Sequence, residues 1–542
     1  MDTNTSAQTQ SQEQPVEKTI LSPSVLAYLD SYRLEDLALR QMEGTSNIQV
    51  SRAASALAVI YERIRQVIDY QDEVVLRRKA IERILLRRIT ASKSSEQSIA
   101  EGLIREITWA HYIDNNVLPP ERVDQVAEII KRYKVLLETN TYKQTNKLPD
   151  LRDWILGVMS SEIEQLLVPH FTTDALVNLM YESLDTSGNA FSVDEATKNL
   201  QVFLTVHRTL LKSDKSVLRY HLLNSYYPDW QKNNLETTQQ VADQFIQLVT
   251  AIDYHLKHPL GEKLFPIIRK QTAPFTILKA ITDIYRTKSN DILAITPERE
   301  EAIKTMCNTK YQDAKARIQR AAVRSIIYLF ITKITLALLL EVPADRILYG
   351  EVHFVPLLIN VLFPPLLMFL IAVTIRVPNQ KNTDKIIKRL GAVIEDPDGR
   401  NAIKLTIPDV KPRSPVYIYF YLAMFVVSFG LISWLLSRIN FNFVSGTLFF
   451  FFTCLVSFFA FRIRQTAREL VMVDQKESFL SSIADLFFLP FLRVGRALSN
   501  GFSKINIFIF IFDFILEAPL KSLISVAEEW FTFIREKKDE IV

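Results

Sequence analysis

The chain has 542 residues, of which 48% are hydrophobic and 23% charged, and its formal net charge at pH 7 is +4. So small an excess of positive charge gives no support for a nucleic-acid-binding protein, and we expect no nucleic-acid partner. Two cysteines exclude a disulfide framework, and only 12 glycines favour long helices with few tight turns.

Residues 1–20 are rich in Gln, Ser and Thr, which predicts a disordered tail. They lack the basic start and apolar stretch of a signal peptide, so the first membrane span should direct insertion. From residue 21 to residue 296, apolar residues recur at intervals of three and four. This pattern predicts a large cytoplasmic helical domain, in which two subdomains could part near residues 141–147.

Residues 297–340 are predicted to form one helix that leaves this domain and enters the membrane. Pro297 stands at the start, where its missing N–H is harmless, and the glutamates that follow suit the positive end of the helix dipole. Nothing breaks the helical pattern before Leu340, and the part from Ser325 onward is almost wholly apolar. We expect a rigid link between the domain and the first span.

Three further apolar runs follow, at residues 354–375, 416–436 and 443–461. Each is close to the roughly 20 residues that a helix needs to cross a bilayer. The sequence therefore predicts an all-α membrane protein with four transmembrane helices in two hairpins.

Basic residues are concentrated on one side of these spans. They precede the first span, fill the middle loop at residues 376–415 and follow the fourth span, whereas the connections at 341–353 and 437–442 contain few of them. Because Lys and Arg are retained on the cytoplasmic face, both termini are predicted to be cytoplasmic. We expect an integral protein of the cytoplasmic (inner) membrane of a bacterium.

The middle loop contains the best strand signal of the chain, where a Pro-Asp-Gly turn separates two short apolar stretches. This predicts a small β-hairpin around residues 396–399, and a packed loop is the alternative. Residues 462–542 contain shorter apolar runs, which predict C-terminal amphipathic helices at the cytoplasmic interface. A fifth crossing at residues 505–516 remains an alternative for this region.

Lys333 is the residue that the four spans accommodate least easily, since a charge at that depth costs at least about 2.5 kcal/mol. It lies seven residues before Leu340, and Asn360 lies six residues after Phe354 on the returning helix, so the two are predicted at similar depth. One interpretation is a polar intramembrane site that binds an anion or gates a path. The other is that Lys333 reaches outward to water while Asn360 joins two helices.

A second candidate site is a basic amphipathic helix in the cytoplasmic domain. Its pattern suits contact with anionic lipid headgroups or an acidic protein partner, and a solvated helix face is the alternative. The six basic residues are Arg77, Arg78, Lys79, Arg83, Arg87 and Arg88.

Two patterns suggest metal binding only weakly. The segment 185–196 resembles a calcium loop in its first positions, but Ala190 and Ala196 replace the glycine and the glutamate that such a loop needs. His255 and His258 lack a convincing third ligand. Phosphate-binding, dinucleotide, hydrolase and zinc-protease motifs do not occur, so we expect no metal, no cofactor and no enzymatic activity.

Three functions remain compatible with the sequence. The leading hypothesis is a noncatalytic membrane scaffold or interaction protein, whose cytoplasmic domain binds protein partners or anionic lipid. The second is a channel or transporter component that uses the polar site around Lys333 and Asn360. The third is a membrane enzyme without a recognisable motif.

Overall fold

The computed structural model describes residues 19–42, 48–50, 73–91, 94–140, 150–185, 193–232, 234–375, 378–396, 403–405, 416–467, 469–472, 479–504, 526 and 530. Regular structure in these ranges is almost entirely helical, which confirms the prediction of an all-α protein. The predicted tail lies outside the described residues apart from Thr19 and Ile20, and so does the alternative crossing at 505–516.

The helices up to residue 294 form the helical domain. They are α1 (Pro23–Met42), α2 (Glu73–Ala91), α3 (Glu96–Trp109), α4 (Glu121–Asn140), α5 (Leu151–Leu167), α6 (Phe171–Glu182), α7 (Glu195–Leu210), α8 (Lys215–Tyr226), α9 (Leu235–Asp243), α10 (Phe245–Leu256), α11 (Pro259–Arg269), α12 (Thr272–Tyr285) and α13 (Ser289–Ala294).

The remaining elements belong to the membrane region and its connections. They are α14 (Thr296–Leu336), a π turn (Ala337–Glu341), α15 (Val342–Tyr349), α16 (Phe354–Thr374), α17 (Gln380–Ile394), α18 (Val416–Arg438), α19 (Phe443–Ala467), α20 (Phe479–Lys504) and the short strands β1 (Leu184–Asp185) and β2 (Ile403–Lys404).

Several helices of the domain begin where a polar side chain caps them. Ser95, Asp150, Asp194, Asp214 and Asn234 each accept a hydrogen bond from a backbone N–H in the first turn of the helix that follows. Such a bond satisfies a donor that the helix itself leaves without a partner, and it typically contributes about 1 kcal/mol.

The helical domain has two hydrophobic cores. Helices α2 to α5 and α8 to α10 enclose the first, and α1, α6, α7 and α11 to α14 enclose the second together with α17. The stretch 141–147 lies outside the described residues, but α4 and α5 on either side of it share the first core. The predicted boundary near residues 141–147 therefore does not separate the two cores.

Helix α14 links the helical domain to the apolar helices. Its 41 residues extend about 61 Å at 1.5 Å per residue. Its buried residues recur every three or four positions along one face: Ile303 and Cys307 belong to the second core, whereas Ala322 and Leu329 belong to a third core among the apolar helices.

Within the described ranges, four helices are long and apolar enough to cross a membrane, at Thr296–Ile347, Phe354–Thr374, Ile418–Arg438 and Phe443–Gln465. We call them together the apolar bundle. Their many exposed Leu, Ile, Val and Phe side chains face outward, as lipid-facing residues do. This finding agrees with an integral membrane protein.

The first span differs from its prediction at its far end. Instead of stopping at Leu340, the chain continues through the π turn into α15 and ends at Gly350, whose φ of 75° is the left-handed conformation that glycine adopts without strain. Glu341 and Asp345, which we placed in an exposed connection, are buried. Their polar partners are Lys333 on the same helix and residues at or just before the starts of α16 and α19.

The predicted β-hairpin in the middle loop is wrong. Its first arm, residues 391–394, is the end of the amphipathic helix α17, whose apolar face packs into the second core. The second arm contains β2, which pairs in parallel with β1 of the helical domain. Residues 397–402 of the turn lie outside the described residues.

Helix α20 was predicted at the interface, but it packs against the middle of the apolar bundle. Ser428 Oγ of α18 donates a hydrogen bond to the carbonyl oxygen of Phe487, at 3.1 Å. The ring of Phe491 stacks on that of Phe429, with centroids 4.6 Å apart. Gly495 lies so close to α19 that a Cβ atom would collide with the carbonyl oxygen of Cys454. Such approach of two backbones is typical of small residues in membrane helix pairs.

We expect Gly495→Ala to displace α20 from α19, because the added methyl group meets backbone rather than a flexible side chain. Overpacking of this kind typically costs about 1–3 kcal/mol. Thermal unfolding of the protein in detergent measures the loss. Gly430→Ala is the matched control, since its Cβ enters open space; equal unfolding temperatures for the two variants would contradict this packing.

Candidate functional site

The structure brings Lys333 of α14 and Asn360 of α16 into contact. Lys333 Nζ donates a hydrogen bond to Asn360 Oδ1 at 2.7 Å, and both residues are fully buried. The ammonium group does not reach outward to water, as one of our two interpretations supposed. Thr335, two residues further along α14, donates a hydrogen bond to the carbonyl oxygen of Ile331 in its own helix at 3.0 Å.

The charge of Lys333 is balanced by Glu341. Lys333 Nζ lies 3.7 Å from Glu341 Oε1, and the two side chains are 0% and 1% exposed. In a regular α-helix, residues eight positions apart point about 80° away from each other. The π turn between them contains an extra residue and reduces this angle to roughly 20°. The π turn thus places Glu341 on the same face as Lys333.

Helix α19 completes the site. Asn360 Nδ2 donates to the carbonyl oxygen of Ser445 at 3.1 Å, and Ser445 Oγ lies 3.4 Å from Glu341 Oε2. The ammonium of Lys333 also lies 4.4 Å from the ring centroid of Phe452, within the range of a cation–π interaction. We call Lys333, Glu341, Asn360 and Ser445 the polar cluster.

A second set of polar contacts supports the polar cluster from the far end of the bundle. Asp345 accepts hydrogen bonds from Asn442 Nδ2 and, at 3.0 Å, from the backbone N–H of His353. Asn442 Oδ1 in turn accepts from the backbone N–H of Ser445 at 2.6 Å, which caps the start of α19. The two acidic residues that follow Lys333 on its helix therefore orient both neighbouring helices.

The chemistry of the polar cluster allows two functions, one in helix packing and one in proton transfer. A buried ammonium paired with a carboxylate can lock three helices in one arrangement, because separating the pair leaves a charge without compensation. The same pair can exchange a proton if water reaches it, which is why intramembrane charges often mark transport paths. In the structure, the side chains of the cluster are closed to solvent.

The predicted basic helix is α2, and most of its basic residues make internal ion pairs. Arg77 pairs with Glu164 at 2.6 Å, and Arg78 pairs with Asp214 at 2.5 Å. Further along, Arg87 and Arg88 both bind the buried carboxylate of Glu106, the second at 2.8 Å. These four side chains join α2 to α3, α5 and the start of α8. Lys79 and Arg83 also take part in polar or charged interactions.

The weak metal patterns do not converge in the described residues. The ring of His255 lies 3.1 Å from the hydroxyl of Tyr226, His258 accepts from the first turn of α11, and Glu262 pairs with Arg208. Residues 186–192 of the calcium-like loop lie outside the description. Among the described residues, no three His, Cys, Asp or Glu side chains gather as a metal site requires.

A group of three histidines in the helical domain was not predicted. His170 lies 2.8 Å from Glu164, and the rings of His207 and His221 are 4.5 Å apart. Burial and the charge of His221 lower the pKa of His207 to about 3, while burial and the charge of His170 lower the pKa of His221 to about 4. Burial lowers the pKa of His170, but the hydrogen bond to Glu164 and the charge of Glu164 raise it. The pKa of His170 is therefore above its ordinary value.

Comparison with known proteins yields no relative for this chain: no family model matches it, and neither does any curated protein or solved structure.

We expect Lys333→Met to destabilise the protein by about 3–5 kcal/mol, because it leaves Glu341 buried without its counter-charge. The double variant Lys333→Met/Glu341→Gln removes both charges and should lose less than the sum of the two single variants. Unfolding of the purified protein in detergent by a denaturing surfactant measures these differences. Thr335→Val is the control on the same helix, and additive losses would show that the pair is not coupled.

We expect stability to fall as the pH falls from about 6.5 toward 4. His207 and His221 stay neutral in the folded protein, whereas the unfolded chain protonates them below about pH 6.5. His170 acts in the opposite direction, since its raised pKa contributes stability below pH 6.5 that is lost as the pH rises through its folded-state pKa.

The unfolding temperature between pH 7.5 and pH 5 tests this expectation. His207→Phe should flatten the pH dependence by about one proton, or roughly 1.4 kcal/mol per pH unit. His111→Asn is the control for the loss of an exposed histidine, because asparagine tolerates the positive φ of 56° at that position. If His207→Phe leaves the pH dependence of the unfolding temperature unaltered, the lowered pKa of His207 is refuted.

Proposed function

We propose that this protein is a noncatalytic integral membrane scaffold, in which the apolar bundle anchors a helical domain that binds protein partners or anionic lipid. The observation that carries the proposal is the continuous helix α14, which is part of the second core and of the apolar bundle at once. The domain and its anchor therefore share one rigid element.

Polar contacts fix the first half of α14 within the domain. Arg299 is almost fully buried, donates to the carbonyl oxygen of Leu293 at 3.0 Å and pairs with Glu395 just after α17. Asn382 at the start of α17 donates to the hydroxyl of Tyr311 at 2.8 Å. These bonds make the helix a fixed part of the domain.

The chain that leaves the bundle after α19 is tied to the same place. Asn382 Nδ2 donates to the carbonyl oxygen of Leu470, and Asn382 Oδ1 accepts from the backbone N–H of Met472, both at 2.7 Å. One asparagine thus joins α14, α17 and the segment that follows α19. Fixed contacts at both the entry and the exit of the bundle suit an anchor that holds the domain at a set position.

Basic residues support the orientation that we propose. Lys310, Lys315, Arg317, Arg320 and Arg324 lie on α14 where it passes from the domain to the apolar bundle. Since basic residues are retained on the cytoplasmic face, this end of the bundle and the helical domain are cytoplasmic in the proposal, with both termini on that side. The corresponding location is the inner membrane of a bacterium.

The polar cluster agrees with an anchoring function because it is closed. Lys333 has a counter-charge, a hydrogen-bond acceptor and an aromatic ring around its ammonium group. Contacts of this kind stabilise one arrangement of α14, α16 and α19. A path for ions or solutes would require these same contacts to open.

One observation favours a second candidate, a channel or transporter component. An ammonium–carboxylate pair lies within the bundle directly beside a π turn, and both features recur at functional sites of membrane proteins. In this alternative, proton or ion binding at Lys333 and Glu341 would change the packing of the three helices.

Flux through proteoliposomes separates the two candidates. We expect the purified full-length protein to give no K⁺, Cl⁻ or H⁺ flux above that of protein-free liposomes, because the side chains of the polar cluster are buried. A flux that persists in Thr335→Ala but disappears in Lys333→Ala would overturn the scaffold and support the transporter. Recovery of each variant in the liposomes has to be equal for the comparison.

A further inference from the structure

A cavity of about 640 Å³ lies where the helical domain meets the end of α19. From the domain it is lined by residues of α2, α5 to α8, α11 and α12, and from the membrane region by Arg462, Gln465, Glu469 and Leu470. Gln465 is the last residue of the fourth candidate span. The cavity therefore lies at the boundary between the apolar bundle and the domain, and its volume suits a small-molecule headgroup.

Cationic side chains outnumber acidic ones in its wall. The cationic residues are Arg208, Lys212, Arg269, Lys279 and Arg462, and the acidic ones are Glu164, Asp174 and Glu469. Glu164 is already neutralised by Arg77 and His170. Burial raises the pKa of Asp174, which favours its uncharged form. Among the cations, Arg208 pairs with Glu262, Lys212 with Glu469 and Lys279 with Asp283. Arg269 and Arg462 are therefore the cations of the wall on which the argument for an anionic ligand rests.

A buried polar atom in the wall lacks a hydrogen-bond partner. His207 lines the cavity and is 2% exposed, and its Nδ1 makes no hydrogen bond. Among the described residues several buried polar atoms lack a partner, and His207 is one of them that belongs to the wall of this cavity. A bound anion is one way in which such an atom can be satisfied. A neutral imidazole can donate from Nδ1 to an anionic oxygen.

We propose that this cavity binds the phosphate group of an anionic phospholipid from the adjacent leaflet, with Arg269 and Arg462 as the main cationic contacts and His207 as a hydrogen-bond donor. Arginine suits this ligand because its planar guanidinium can hold two phosphate oxygens at once. Basic pockets at the cytoplasmic ends of membrane helices bind lipid headgroups in the same way.

A lipid fits better than a free phosphate because the wall is amphipathic. Leu210, Leu211, Phe265 and Leu470 line the cavity together with the cations, so an acylglycerol stem could lie against them. Arg269 Nη2 lies 3.3 Å from the carbonyl oxygen of Gln465 and so joins α11 to the end of α19. A headgroup at this position would connect the domain to the bilayer directly. The inference rests on the proposed anchoring function, which sets the domain against the membrane surface.

Thermal stabilisation of the full-length protein in detergent tests the proposal. Dioctanoyl phosphatidic acid and dioctanoyl phosphatidylglycerol should raise the unfolding temperature in a saturable way, whereas dioctanoyl phosphatidylcholine should not. The double variant Arg269→Gln/Arg462→Gln should need at least about tenfold more anionic lipid for the same effect. His207→Phe, which keeps an aromatic ring but loses the donor, should weaken the response less.

Lys232→Gln is the control, because this exposed lysine pairs with Asp229 and neither residue lines the cavity. Equal stabilisation by phosphatidylcholine, or an unchanged response in the double variant, would overturn the site. If glycerol 3-phosphate stabilises as strongly as the lipids, the phosphate site stands but its lipid ligand is refuted. The flux experiment is independent of these results, so failure of the scaffold and failure of the lipid site can be told apart.

Discussion

A lysine ammonium enclosed among apolar helices must be neutralised where it lies, and the membrane region of this protein is arranged around that requirement. Lys333 finds its acceptor on α16, its counter-charge beyond a π turn of its own helix, and an aromatic ring on α19. These contacts specify which faces of the three helices meet. Apolar packing alone would specify this weakly, because lipid is as apolar as the side chains that it would replace.

The π turn shows how local geometry serves this constraint. A regular helix would carry Glu341 away from Lys333 and leave two buried charges apart, which costs several kcal/mol in a low-dielectric environment. One extra residue in the turn restores the pairing. The same extra residue places Asp345 within hydrogen-bond distance of Asn442. Because Asn442 caps the start of α19, this cap also depends on the π turn.

The other end of the bundle is joined to the helical domain by side chains that bond to several elements at once. Asn382 and Arg299 connect α14 to the chain segments around α17 and beyond α19. Between these contacts and the apolar bundle lies the cavity, whose wall contains several arginine and lysine residues. In the orientation that we propose, this cavity lies at the cytoplasmic surface of the membrane. That surface carries negative charge, so the position favours the proposed contact with lipid.

The sequence by itself determined the helical class, the four apolar spans and the long helix that joins them to the domain, because these depend on periodicity and length along the chain. It also predicted that Lys333 and Asn360 lie at one depth, since rise per residue converts sequence distance into height. The tertiary structure alone decided where α17 and β2 pack, how the basic residues of α2 are paired, and that α20 lies against the bundle. The position of Glu341 was also decided by the tertiary structure. A regular helix and a helix with the π turn place Glu341 on different faces, and the sequence does not distinguish them. The energy of pairing the buried charge of Lys333 favours the helix with the π turn.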